Sequence, residues 1–213
     1  MRSCGKDNKY KLKLRNSKYG IRDMERVKLE VPEYKSTISV EEAIARRKSR
    51  RAFKHDAIKR REFALLVWAA SKAPSAGATY PLELYLVIGA GAVEHIEPGV
   101  YHVENGYLEP HKDGDLRVEL ATACLRQMFI ADASFSIVIT AEYERTTRRY
   151  GERGIRYVHI EAGHVSQNIY LECEALGLAT VAIGAFDDDE VAKVLNLPEA
   201  HKPIYVMPIG VKI

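Results

Sequence analysis

Cysteine is scarce and long apolar runs are missing, and each shortage removes a class of protein. The 213 residues hold three cysteines, Cys4, Cys124 and Cys173. An odd, widely spaced set without C-x-x-C excludes a disulfide framework and a zinc ribbon. Cys124 and Cys173 lie in apolar stretches and are expected in the core. The longest apolar stretches, near residues 84–93 and 135–141, are far shorter than the roughly 18 residues that cross a bilayer, so no membrane helix is predicted. No apolar run follows the charged start Met1, Arg2, Ser3, Cys4, Gly5, Lys6, which argues against a signal peptide and makes the cytoplasm the default compartment. There is no P-loop and no G-x-S-x-G elbow, and Gly89-Ala90-Gly91 lacks the third glycine of a dinucleotide fingerprint. His159 and His164, five apart, lie about 140° apart round a helix and do not form H-E-x-x-H, so no metal is expected.

What is present begins with charge. The net +3 divides unevenly, because residues 1–28 carry ten basic and three acidic side chains, a net of +7, which leaves −4 for the rest. Such an arm can bind a polyanion. With only Tyr10 and Tyr19 as aromatics it reads better as a solvated extension, and nucleic-acid binding is not expected.

Periodicity supplies the elements. Ser39 with Glu42 forms a capping box ahead of a short helix over 40–47. Phe63, Leu66, Val67 and Ala70 predict a helix over 59–72. Asn105-Gly106 between apolar runs predicts a hairpin over 99–110. A helix over 115–130 and a buried strand over 135–141 follow. Ile155, Val158, Ala162, Val165, Ile169, Cys173 and Leu176 mark a long core helix ending at Gly177. Strands over 178–183 and 204–211 flank a helix capped by Asp187. Together these give an α+β layered fold of one domain.

Three constellations can carry chemistry. Residues 46–51 place five basic side chains and Ser49 in six positions, either a solvated helix end or an anion site in which forked guanidinium donors meet phosphate. Residues 74–81 (PSAGATYP) form a small-residue loop, either a plain turn or a place where backbone approaches a flat ligand. At residues 183–187 (IGAFD) a strand passes through a glycine into a helix, where exposed N–H groups can meet a ligand acceptor.

Residues 46–53 (RRKSRRAF), 73–85 (APSAGATYPLELY), 150–171 (YGERGIRYVHIEAGHVSQNIYL) and 182–188 (AIGAFDD), in this order, resemble the FMN-dependent nitroreductase superfamily. The nearer likeness is to its SagB-type branch, which includes the azoline-oxidising dehydrogenases of thiazole and oxazole peptide biosynthesis. The resemblance covers about residues 37–213 and sets residues 1–36 aside as a basic extension and connector. It implies a nitroreductase-like α+β fold, a central mostly antiparallel sheet enclosed by helices, in a homodimer with two FMN sites built from both chains. By position it implies Arg47 and Ser49 on the phosphate and ribityl chain, and Arg51 at the pyrimidine edge, where a fixed cation favours the negative charge of reduced flavin. It further implies Pro74, Ser75, Ala76 and Gly77 on a loop reaching flavin from the partner, Gly184 and Ala185 at flavin N5, and Lys212 as a C-terminal phosphate ligand.

Arg149 and Tyr150 match a Lys-Tyr pair implicated in deprotonating the substrate in the azoline-oxidising relatives. Arginine stays protonated and cannot be that base, which leaves Tyr150 as an acid or hydrogen-bond donor. The implied activity is hydride passage through FMN, by ping-pong exchange, from NADH, NADPH or another reduced donor to an organic acceptor. Substrate selection is assigned to the loop between Glu142 and Gly154 and the helix before Phe129. Two alternatives remain, a flavin-binding subunit of a peptide-modifying complex and a non-enzymatic polyanion-binding scaffold.

Overall fold

The computed structural model describes residues 24–30, 33 and 36–213. Most of the basic arm, Cys4, and all of the connector 31–35 except Glu33 lie outside the described residues. The chain runs through β1 (Val27–Lys28), α1 (Val40–Arg46), β2 (Phe53–Lys54), α2 (Arg60–Ala70), β3 (Leu82–Ile88), β4 (Gly99–Glu104), β5 (Tyr107–Asp113), α3 (Arg117–Ala123), α4 (Phe129–Asp132), β6 (Phe135–Ala141), α5 (Glu144–Tyr150), α6 (Arg153–Leu176), β7 (Leu178–Thr180), α7 (Asp188–Leu195) and β8 (Lys202–Lys212). A single 3₁₀ turn, Ala76–Ala78, precedes β3.

The strands form one sheet in the order β1-β5-β4-β3-β6-β8-β2, with β7 also pairing β8. Every strand pair is antiparallel. The central strand β6 is buried along its whole length, as a continuous apolar run predicts for a strand covered on both faces. Its alternating side chains serve two cores. Phe135, Ile137 and Ile139 pack with Phe63 and Leu66 of α2 and Val165 and Ile169 of α6. Val138 faces the other way, with Leu120 of α3, Ile130 of α4 and Val191 of α7. Each such buried aliphatic contributes about 1.5–3 kcal/mol.

The local signals act as read. Ser39 Oγ accepts the Glu42 N–H at 3.1 Å, and Asp187 Oδ1 accepts the Glu190 N–H at 2.9 Å. Asn105 and Gly106 take φ of 50° and 79°, the left-handed pair that a two-residue type I′ hairpin requires. Cys124 and Cys173 are both buried.

Several expectations are corrected. The helix over 115–130 is two helices, because Leu125 and Arg126 turn left-handed at φ 56° and 59°. The Gln127 side chain stabilises that break, donating from Nε2 to the carbonyls of Cys124 and Ala185 at 2.9 Å each. Between Glu142 and Gly154 there is a helix, α5, rather than a loop. The strand over 178–183 ends at Thr180, with Ile183 making an isolated bridge to Val206. Ile155, counted in the core stripe, is exposed. Part of the basic stretch belongs to the sheet: Val27 pairs with Leu108, and Arg26 bonds Glu109 at 2.6 Å while stacking over Tyr107.

Candidate active site

The basic run 46–51 divides according to what each side chain meets. Arg46 closes α1 through an ion pair with Glu42. The chain then leaves helical geometry at Arg47, with φ −54° and ψ 125°. The Arg47 guanidinium lies 5.1 Å from the Tyr170 ring of α6, and Ser49 Oγ is 2.9 Å from Tyr170 Oη. That phenol also accepts the Ala182 N–H at 2.8 Å, so one side chain links the basic run to the chain leaving β7. Arg51 lies over Phe129 at 5.9 Å. Among the described residues neither Arg47 nor Arg51 has a carboxylate partner.

Arg50 turns inward. Its N–H bonds Thr180 O at 2.9 Å, and its guanidinium pairs with Glu174, whose second oxygen accepts Lys212 Nζ at 3.0 Å. The Glu174 side chain is 2% exposed, and a carboxylate that deep is tolerated only when paired. Lys212 therefore has one of its three N–H donors engaged. Beyond Ile183, Gly184 and Ala185 are exposed, and among the described residues their N–H groups have no acceptor. Ala185 is fixed through its carbonyl by Gln127.

Pro74, Ser75, Ala76 and Gly77 sit with α5 and the first half of α6. Arg149 Nη1 donates to Gly77 O at 3.0 Å. Gly77 is left-handed at φ 59°, and a Cβ there would strike Tyr150 Oη and Arg149 Nη1, so the glycine gives Tyr150 its seat. The Tyr150 ring is edge-on to Tyr157 at 5.1 Å. Glu161 is buried against this loop and bonded by Ser75 and the Ala76 N–H. Burial raises its carboxyl pKa, and those bonds offset the rise only in part. His159, which shared a sequence window with Glu161, instead bonds Tyr143 Oη at 2.7 Å.

The predicted residues thus form two groups, one around Tyr170 and Glu174 and one around Glu161. At 1.5 Å per residue, Glu161 and Glu174 are about 20 Å apart along α6. Sequence reasoning missed Tyr170 and Glu174. Their signal was present as polar residues four apart, one position after the apolar Ile169 and Cys173, on the flank of the buried stripe. It also missed a third network. Glu83 accepts His102 at 2.7 Å and Arg145 at 2.6 Å, and Arg145 reaches Glu142 at 2.6 Å. Burial pushes Glu83 up, but the His102 and Arg145 bonds outweigh it and hold the carboxyl below its ordinary range.

The model of the Nitroreductase family matches residues 44–211. MJ1384 of Methanocaldococcus jannaschii, provisionally named a nitroreductase, is 43% identical over 187 residues, covering 83% of this chain and 92% of its own. The trifolitoxin-processing protein TfxB of Rhizobium leguminosarum bv. trifolii is 31% identical over 58% of this chain, which spans 35% of TfxB. The microcin B17-processing protein McbC of Escherichia coli is 28% identical over 59% of this chain, which spans 48% of McbC. Among solved structures, a provisionally named nitroreductase from Anabaena variabilis superposes with a TM-score of 0.80 at 24% identity, over 92% of this chain and 43% of that one. The NADPH:FMN oxidoreductase of Vibrio harveyi superposes at 0.63 with 20% identity, over 81% of this chain and 68% of its own. Sequence match over most of the chain and shared sheet architecture agree: the chain belongs to the nitroreductase family.

Proposed function

We propose that this oxidoreductase uses FMN to pass hydride between a reduced donor, NADH or NADPH among the candidates, and an organic acceptor. The observation that carries the reading is the donor set left over after internal pairing. Arg47 and Arg51 keep their guanidinium groups free of carboxylates among the described residues, beside Ser49 and the open N–H groups of Gly184 and Ala185. Such a set fits a phosphate at one end and the acceptor edge of a flat ring at the other.

In this reading Arg47, Ser49 and the spare donors of Lys212 hold the phosphate and ribityl chain, and Arg51 faces the pyrimidine edge. Gly184 and Ala185 donate toward N5. Bound FMN supplies a reversible hydride acceptor, while the protein's residues hold, orient and charge-balance it. Pro74 to Gly77, with Tyr150, serve the site of a second copy, because the two groups lie at opposite ends of α6. Exposed Ile155 and Ile160 on α6, with Ile44 on α1 and Trp68 on α2, suit burial in such a homodimer. The extension ahead of residue 37 is not required for flavin.

A second reading, a flavin subunit of a peptide-modifying complex, is favoured by the likeness to TfxB and McbC. Against it, Arg149 is bonded to Gly77 O and has no basic lone pair. Among the described residues no helix is long and apolar enough to cross a membrane. The test is the flavin spectrum of purified protein with and without added FMN. The wild type retains FMN, and Arg47→Ala binds it about 10–100-fold more weakly, as loss of a charged hydrogen bond requires. Unchanged affinity in that variant would remove Arg47 from the phosphate site.

A further inference from the structure

We infer that Tyr80 is a substrate-contact residue, its ring held out as a platform on which a planar organic acceptor stacks. The inference rests on the flavin reading above and adds the residue that selects the acceptor. Tyr80 has φ 44°, a left-handed conformation disfavoured for a side-chain-bearing residue. It also precedes Pro81, a position pushed toward extended backbone. Strain of this kind persists where the surroundings over-determine it. A large aromatic normally repays such strain by burial, yet Tyr80 is 61% exposed.

The backbone is pinned from both sides instead. Ser75 Oγ accepts the Tyr80 N–H at 2.9 Å, and Arg145 Nη1 donates to Tyr80 O at 3.1 Å. Next to it, Thr79 Oγ1 and Thr146 Oγ1 are 2.8 Å apart. Arg145 is itself fixed by Glu83 and Glu142. Side chains from the loop, β3 and α5 therefore converge on the backbone that carries this one exposed ring, three residues after Gly77. Tyr80 borders a cavity of ≈ 220 Å³ that Leu82, Glu83 and Glu161 also line. A cavity of about 150 Å³ holds a benzene ring, so this space suits a one-ring acceptor, and an aromatic face pairs with such a ring in offset or edge geometry.

The experiment uses the FMN-loaded full chain, photoreduced without oxygen and then mixed with p-benzoquinone or ferricyanide while flavin reoxidation is followed. The quinone takes two electrons and two protons to become the hydroquinone, and must approach as a flat ring. Ferricyanide takes single electrons and has no ring to stack. Tyr80→Ala should need about tenfold more quinone for half-maximal reoxidation, with ferricyanide rates unchanged, and Tyr80→Phe should match the parent. Tyr80→Gly, which accepts the left-handed backbone, should lose quinone affinity while melting no lower than wild type. Unaltered quinone dependence in Tyr80→Ala, or equal slowing with both oxidants, overturns this inference alone. A wild type that takes up no FMN overturns the flavin reading and this inference with it.

Discussion

The two ends of α6 use arginine in opposite ways. Near Tyr170 and Glu174, Arg47 and Arg51 rest on aromatic faces and keep their donors available among the described residues. Near Glu161, Arg145 and Arg149 spend theirs on carboxylates and loop carbonyls. Apart from Arg50, which Glu174 holds, the first end leaves its guanidinium charge without a carboxylate among the described residues, and the second uses charge to hold a loop in left-handed backbone. Residue type is the same at both ends, so the partner rather than the type shows which arginine is structural.

The comparison breaks most visibly at Glu174. Replacing it by alanine strands Arg50 and Lys212 and should cost about 3 kcal/mol, a fall of roughly 8 °C in a chain of this size. Arg149→Ala removes one exposed hydrogen bond, worth about 1 kcal/mol. Equal melting losses for the two variants would show that the two ends are anchored alike. Next in size is Gly77→Ala, where left-handed strain alone costs about 1–2 kcal/mol and the clash with Tyr150 Oη adds to it. Adding Tyr150→Phe should recover the part of the clash made by the hydroxyl and leave the Arg149 contact and the strain; a double variant no more stable than Gly77→Ala would place the cost in those two alone.

The smallest effect is at Glu83. Its folded pKa is lowered, so the unfolded chain takes up the proton first. Its contribution is complete above the unfolded value of about 4.3 and is lost as pH falls through the lower folded value. Urea melts between about pH 6 and 3.5 should show this acid loss, and Glu83→Gln should flatten it. Hydrogen exchange at residues 75–80 should rise in acid before exchange at 47–51. The reverse order would mean that Glu83 does not support the loop.

Much of this was legible in the residues. The Ser39 and Asp187 caps, the Asn105-Gly106 hairpin and the period of α6 are local signals, and apart from the exposed Ile155 the structure follows them. The division of RRKSRRAF was not legible, because Arg47 and Arg50 differ only in what lies more than a hundred residues away, Tyr170 for one and Glu174 for the other. The break after Ala123 was hidden for a similar reason, since the Gln127 amide that stabilises it bonds Ala185. Helix α5 was missed because ERTTRRY carries no apolar period and is held mainly through its polar contacts with Glu83, Tyr80 and Gly77.

Helix α6 is also a gauge. Glu161 and Glu174 each present a carboxylate to a different part of the chain, and the residues between them set both the distance and the angle at which they do so. One inserted residue would lengthen that interval by only about 1.5 Å but rotate one end against the other by about 100°, detaching either Ser75 or Lys212 from its carboxylate. An insertion or deletion that keeps both carboxylates on their partners must therefore fall outside that interval, and the phase of a single helix fixes how the two ends are aimed.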